Sequence, residues 1–471
     1  MCSSDLSLLP QPSDWLPRLG RLSAEALPLP RWRLDVRRLA IDALPVGCAS
    51  AAAAFYAFVS IYRHDRFGSD GYDLGIFDQT LWGYSRFEIV RNTVKGVPNL
   101  LGDHFHPALM LLAPAYWVWD DVRVLLVVQA LLLAAASLPV FWWARPRLGV
   151  AGATVIQLAF LGFWGLLAGM IFDFHELALA VPAISFGLYG LLERRPAVFW
   201  PMFALGCLAK EDIALTFAAM GLYAVVVQRR PRFGLGVMSL AVAWFVVVIG
   251  AIMPAISGHR YHYWDYPSLG PSWTRAPLAV VRRPWHVLAA VFNRAEKRAT
   301  LTTTLGAWLF LPLFSPLLLV AVPTIAERFL AGNPAFWSEK FQYSLPIAPI
   351  LAFAAIDTLS RMTRLRSLAV AGVLACGLVL SLAVVRPLQG LSGYMTATRA
   401  GEIDECLRRI PPNASVAASG ALVPHLTHRL EIDPIFRQDD DAYLAVEGRA
   451  GREPGYRSLC RDGGVTVLRR T

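Results

Sequence analysis

The run DALPVGCASAAAAFYAFVSIY (42–62) is followed, about ten residues on, by YDLGIFDQ (72–79). The first is apolar and long enough to cross a bilayer, which takes about 20 residues. The second sets two carboxylates, Asp73 and Asp78, where the chain has just left the membrane. The same juxtaposition recurs downstream. GDHFHP (102–107), DFHE (173–176) and KED (210–212) each stand beside or between hydrophobic segments. Ionisable groups at such a boundary are costly and mark a functional site by default.

Composition agrees with a membrane chain. Of 471 residues, 56% are hydrophobic and 17% charged, against about 25% charged in ordinary globular chains; mean hydropathy is +0.47. The Ala- and Leu-rich runs exclude a β-barrel, which needs alternating segments of about ten residues. The net charge of +10 does not imply nucleic acid, because many basic residues sit in short loops between apolar runs, as the positive-inside rule demands.

Further apolar runs lie near 122–143, 150–171, 177–192, 197–209, 213–228, 234–256, 300–312, 315–326, 344–360 and 367–386. With the first, these predict an all-α polytopic membrane protein of about 11 transmembrane helices. Runs 197–209, 300–312 and 315–326 are short for a span and suit tilted or broken helices lining a cavity. HFHPALMLLAPAYWVW (104–119) reads as a re-entrant or interfacial helix. ARPR (144–147), ERRP (193–196), QRRPR (228–232) and RMTRLR (361–366) alternate as cytoplasmic loops. This places the four ionisable clusters and the C-terminus outside, and the N-terminus in the cytoplasm. RWRLDVRR (31–38) fits that orientation, and the first forty residues lack the pattern of a cleaved signal peptide.

Three regions follow: a cytoplasmic segment 1–40, a transmembrane domain 41–390 with large outer loops near 63–120 and 257–298, and a small extracytoplasmic α/β domain 391–471. In the last, RAGEIDECLRRIP (399–411) has helical periodicity, and SVAAS (415–419) and VTVLRR (465–470) read as strands. Cys406 and Cys460 could pair if this region is exported; Cys48, Cys207 and Cys376 read as small core residues. Asn413-Ala-Ser415 matches a glycosylation sequon.

Asp73 and Asp78 are five residues apart and diverge by roughly 140° on a regular helix; a bend at Gly75 would bring both to one cavity. Either suits a general base toward an acceptor hydroxyl, and Asp73 equally suits a helix N-cap. His104 and His106 suit phosphate or a carboxylate partner, or simply the interface. Asp173, His175 and Glu176 together suit a divalent cation or a helix cap. Lys210 suits a phosphate leaving group, with Glu211 or Asp212 as its salt-bridge partner or as a cap. Arg328 is a second phosphate candidate. The aromatics of RYHYWDYPSLGPSW (260–273) suit headgroup anchoring or stacking on a sugar.

As a set, YDLGIFDQ, HFHP, DFHE, KED, LPLFSP (311–316), QYSLPIAP (342–349) and IPPNASVAASGALVPHLTHRLEI (410–432) resemble the domain-of-unknown-function family numbered 2079, over roughly residues 42–440. That family is placed in the GT-C superclass of membrane glycosyltransferases. The resemblance implies transfer of a sugar from a polyprenyl-phosphate donor to a carbohydrate, lipid or protein acceptor outside a bacterial cytoplasmic membrane. It implies Asp73 as first-loop catalytic acid with Asp78 as understudy; by their own chemistry, Lys210, Arg328 and His104 suit the donor phosphate. Asp173, His175, Glu176, Glu211 and Asp212 would form a second acidic cluster. A divalent cation (Mg or Mn) would be held by Asp73, Asp173 and His175, if at all, since DFHE departs from the plain acidic motif. The rivals are a transporter or flippase of lipid-linked sugars, and a non-catalytic assembly protein keeping the fold.

Overall fold

The computed structural model describes residues 36–385, 394–437, 440–448 and 453–471. Residues 44–471 make one compact unit. Most of the expected N-terminal segment 1–40 lies outside the described residues, as does the junction 386–393.

Among the described residues, five stretches are helical, long and apolar enough to cross a membrane: Ile41–His64, Arg123–Leu161, Pro231–Ser257, Gln342–Arg361 and Arg366–Val384. Four shorter apolar helices accompany them: Pro107–Val118, Leu177–Leu192, Pro196–Ala209 and Ile213–Val226. The 39-residue stretch Arg123–Leu161 is about twice a span at 1.5 Å per residue. Gly149 breaks it with a positive φ of 74°, a conformation glycine enters without steric cost. The two runs expected there, 122–143 and 150–171, are therefore separate arms.

The runs at 300–312 and 315–326 are broken rather than continuous. A helix ends at Gly306, Leu309 and Phe310 take left-handed conformations, and two 3₁₀ turns follow at Leu311–Phe314 and Pro316–Ala321. Pro312 and Pro316 lack the N–H that an uninterrupted helix would use. The chain then resumes as a short helix, Val322–Leu330.

The C-terminal region folds as expected into a small α/β element. A helix, Ala397–Leu407, precedes five strands: β1 (Val416–Ala418), β2 (Ile432–Pro434), β3 (Tyr443–Glu447), β4 (Tyr456–Asp462) and β5 (Val465–Arg470). Their order is β2-β1-β3-β5-β4, parallel on one side of β3 and antiparallel on the other. A Cys406–Cys460 disulfide ties the helix to β4.

Candidate active site

The segment after the first span is built around two glycines. The Asp70 side chain caps it, accepting from the Tyr72 N–H at 2.9 Å. Residues Gly71–Gly75 form one wide π turn, and regular helix follows at Ile76–Tyr84. Such π turns occur often at functional sites. Asp73 is half-buried and opens onto a cavity; Asp78, further along, is fully buried on another face.

DFHE splits its residues between two jobs. Asp173 takes a positive φ of 86° and turns away from the cavity. Its carboxylate pairs with Arg63 and accepts from Ser69 Oγ at 2.8 Å and the Asp70 N–H at 3.1 Å. It thus hooks the start of the Asp73 turn to the end of the first span. Gln129 braces DFHE from below, donating to the Asp173 carbonyl and accepting from the His175 N–H. His175 and Glu176 face the cavity. His175 Nδ1 lies 2.6 Å from Glu176 Oε2, and its Nε2 lies 3.9 Å from Asp73 Oδ1.

KED and HFHP close the opposite wall. Lys210 Nζ reaches Glu176 Oε1 at 3.3 Å. Glu211 meets His104 Nδ1 at 2.7 Å and accepts from the Phe105 N–H at 3.0 Å. Asp212 and Glu327 also line the cavity and act on one another electrostatically. His106 is buried with Phe77 edge-on at 5.9 Å. The loop after residue 257 contributes Tyr261, Tyr263 and Tyr266 to the lining. Tyr263 stacks on His104 at 4.4 Å and bonds Asp103, which also pairs with Lys95 at 3.4 Å. The cavity measures about 1070 Å³, large for a ligand site.

Burial pushes the Asp73 carboxyl up to about 6; His175 pulls it down, while Asp173, Glu176 and Asp70 push it further up. Against the desolvation of burial, His175 and Lys210 hold Glu176 well below the carboxylate range. Against the same penalty, Asp212, Glu176, Glu327 and Glu211 hold the Lys210 ammonium well above its ordinary value. Burial and Asp212 raise Glu327 well above the carboxylate range. Burial lowers His106 to about 4 and leaves it neutral. Glu211 outweighs desolvation to raise His104.

Several expectations need correction. Asp78 does not share the cavity with Asp73: it is bound by Tyr116 Oη at 2.6 Å, by Thr427 and by His428 at 3.2 Å. The π turn does not cancel the divergence of the two acids. Arg328 is not placed as a phosphate ligand. It is buried and donates to the Phe336 and Ser338 carbonyls and to Ser344 Oγ. The trio Asp73, Asp173 and His175 does not converge, because Arg63 and Ser69 hold Asp173 elsewhere. Among the described residues no group of three or more His, Cys, Asp or Glu side chains is gathered as a metal site.

Sequence reasoning missed the partners of the first loop. Gln79 donates to the Arg429 and Leu430 carbonyls, Thr93 bonds both the N–H and the carbonyl of Ile432, and Arg437 reaches Tyr72 Oη and the Val94 carbonyl. No local spacing signals contacts across some 350 residues.

The chain belongs to the family described as "Predicted membrane protein (DUF2079)", which matches residues 63–445. No curated protein matches its sequence. Its fold is shared with solved structures of another protein. The ArnT crystal structure from Cupriavidus metallidurans bound to undecaprenyl phosphate is similar with a TM-score of 0.55 and 14% identity. That similarity covers 90% of this chain and 97% of that one. The same protein's apo structure gives 0.52 and 13% over the same shares.

Proposed function

We propose that the chain is a membrane glycosyltransferase that moves a sugar from a polyprenyl-phosphate donor to an acceptor hydroxyl. The observation that carries this reading is Asp73, a half-buried carboxylate opening onto a cavity of about 1070 Å³ that Lys210 also lines, on a fold shared with a protein crystallised with undecaprenyl phosphate.

Asp73 takes the acceptor's proton as its oxygen bonds to the anomeric carbon. The bond from that carbon to the donor oxygen breaks, and the electron pair leaves with the phosphate. Lys210 and Lys95 are the lysines lining the cavity and offset the charge growing on that phosphate. His175 and Glu176 hold the neighbouring side of Asp73, and His104 with Glu211 orders the wall beside Lys210. Tyr261, Tyr263 and Tyr266 offer aromatic faces to a sugar. The Cys406–Cys460 disulfide suits an oxidising compartment, which supports a C-terminus outside the cytoplasmic membrane; the basic stretch at 31–38 supports an N-terminus within the cytoplasm.

The test is reconstitution in nanodiscs with polyprenyl-phosphate-linked sugars, following release of free polyprenyl phosphate with and without an acceptor mixture. Turnover lost in Asp73→Asn supports the reading. Wild-type turnover in that variant, or sugar-lipid movement across vesicles without bond cleavage, defeats it.

A further inference from the structure

Gly71 and Gly75 bracket Asp73, and one residue of the C-terminal region explains both. A Cβ placed on Gly71 would stand 2.7 Å from Val423, and one on Gly75 would stand 2.9 Å from it. Neither distance is tolerated between carbon atoms that cannot shift. Gly75 sits in ordinary right-handed helical geometry, φ −66° and ψ −38°. It therefore has no conformational need to be glycine, and alanine there would favour the helix. Close approach of Val423 is what the glycine permits.

The approach is fixed on both sides. Val423 lies in the 3₁₀ turn Gly420–His425. A Cβ on Gly420, at the start of that turn, would stand 2.6 Å from the Asp70 carboxylate that caps the Asp73 segment. At its end, His425 stacks between His64 at 4.2 Å and Phe67 at 4.1 Å, where the first span finishes. Beyond it, Thr427 and His428 grip Asp78.

We propose that the C-terminal region is the positioning element of the site, with Val423 as the wedge that sets where the π turn presents Asp73. This rests on the transferase reading only for its kinetic consequence; the wedge itself is a packing relationship. Asp70, Gly71 and Gly75 on one side and Gly420 and Val423 on the other act as one clasp.

The test compares full-length Gly75→Ala, Val423→Ala and the double variant in nanodiscs, by amide hydrogen exchange over residues 70–84 and by sugar transfer. Gly75→Ala is expected to speed exchange in residues 71–78 and lower kcat about tenfold with KM little moved, as coupled contacts of this kind do. The double variant, with the colliding methyls removed, is expected to recover both to within about threefold. If Gly75→Ala does not accumulate, Val423→Ala alone is expected to speed exchange at 71–75. Unchanged exchange in the single variants, or a double variant as impaired as Gly75→Ala, overturns the proposal. Exchange reads the clasp whether or not the chain moves sugar, so its failure is separable from failure of the transferase reading.

Discussion

Asp73 and Asp78 lie one and a half turns apart on one helical segment and serve opposite sides of it. Asp73 opens onto the cavity, while Asp78 is sealed among Tyr116, Thr427 and His428. Substituting the two acids is therefore expected to give two different phenotypes.

Asp73→Asn should remove most turnover, on the order of 10²–10⁴-fold for a lost general base, without loss of stability. A carboxyl raised from 3.8 to about 6 is charged at neutral pH at a cost of at most ~3 kcal/mol. The stability it contributes is complete below pH 3.8 and lost as pH rises through about 6. The amide has no such charge, so Tm at pH 7 should hold or rise; a fall in Tm would contradict this account.

The pH profile of transfer should carry a lower limb near 6, since Asp73 must lose its proton to act as base. His175 lowers that carboxyl, so His175→Gln should move the limb to higher pH. A limb that stays put would show that the 3.9 Å approach of the two side chains carries little coupling.

Asp78→Asn should lower Tm and leave that limb where it is. Two short bonds and the His428 pair depend on the carboxylate, and a weakened buried hydrogen bond costs about 1–3 kcal/mol. Thermal unfolding in detergent, beside the pH profile, distinguishes the two acids.

Arg328→Met should behave as a lesion of the scaffold. Two carbonyls and Ser344 Oγ lose their donor, at a cost of about 1–3 kcal/mol for each group left unsatisfied. The KM for the lipid donor should not change in the protein that folds. Lys210→Met should differ: Glu176 loses a buried partner at 3.3 Å, costing about 3–5 kcal/mol, and transfer should fall as well.

Local spacing made much of this legible. The apolar runs marked the helices, the shortness of the runs at 300–312 and 315–326 pointed to broken helices, and the helix and two of the strands of the C-terminal region were readable from periodicity. All four ionisable clusters do contribute residues to one cavity. What spacing could not convey was direction. Asp173 reads like its neighbours His175 and Glu176, yet a positive φ turns it to Arg63. Asp78 reads like Asp73, yet its partners Thr427 and His428 lie 349 and 350 residues away. Arg328 reads as a free cation because its three acceptors are two backbone carbonyls and a serine hydroxyl, which leave no charge signature in the sequence.

The distance in sequence between Asp78 and Thr427 also orders events in time. At the usual pace of about 5–20 residues per second, the ribosome needs roughly 17–70 s to travel from one to the other. Through that interval the first loop exists without the surface that shapes it. The chain is in this respect a lock whose tumbler is cast first and whose pin arrives last: a nascent or truncated copy ending before Val423 would hold every cavity-lining acid and still lack the piece that aims one of them.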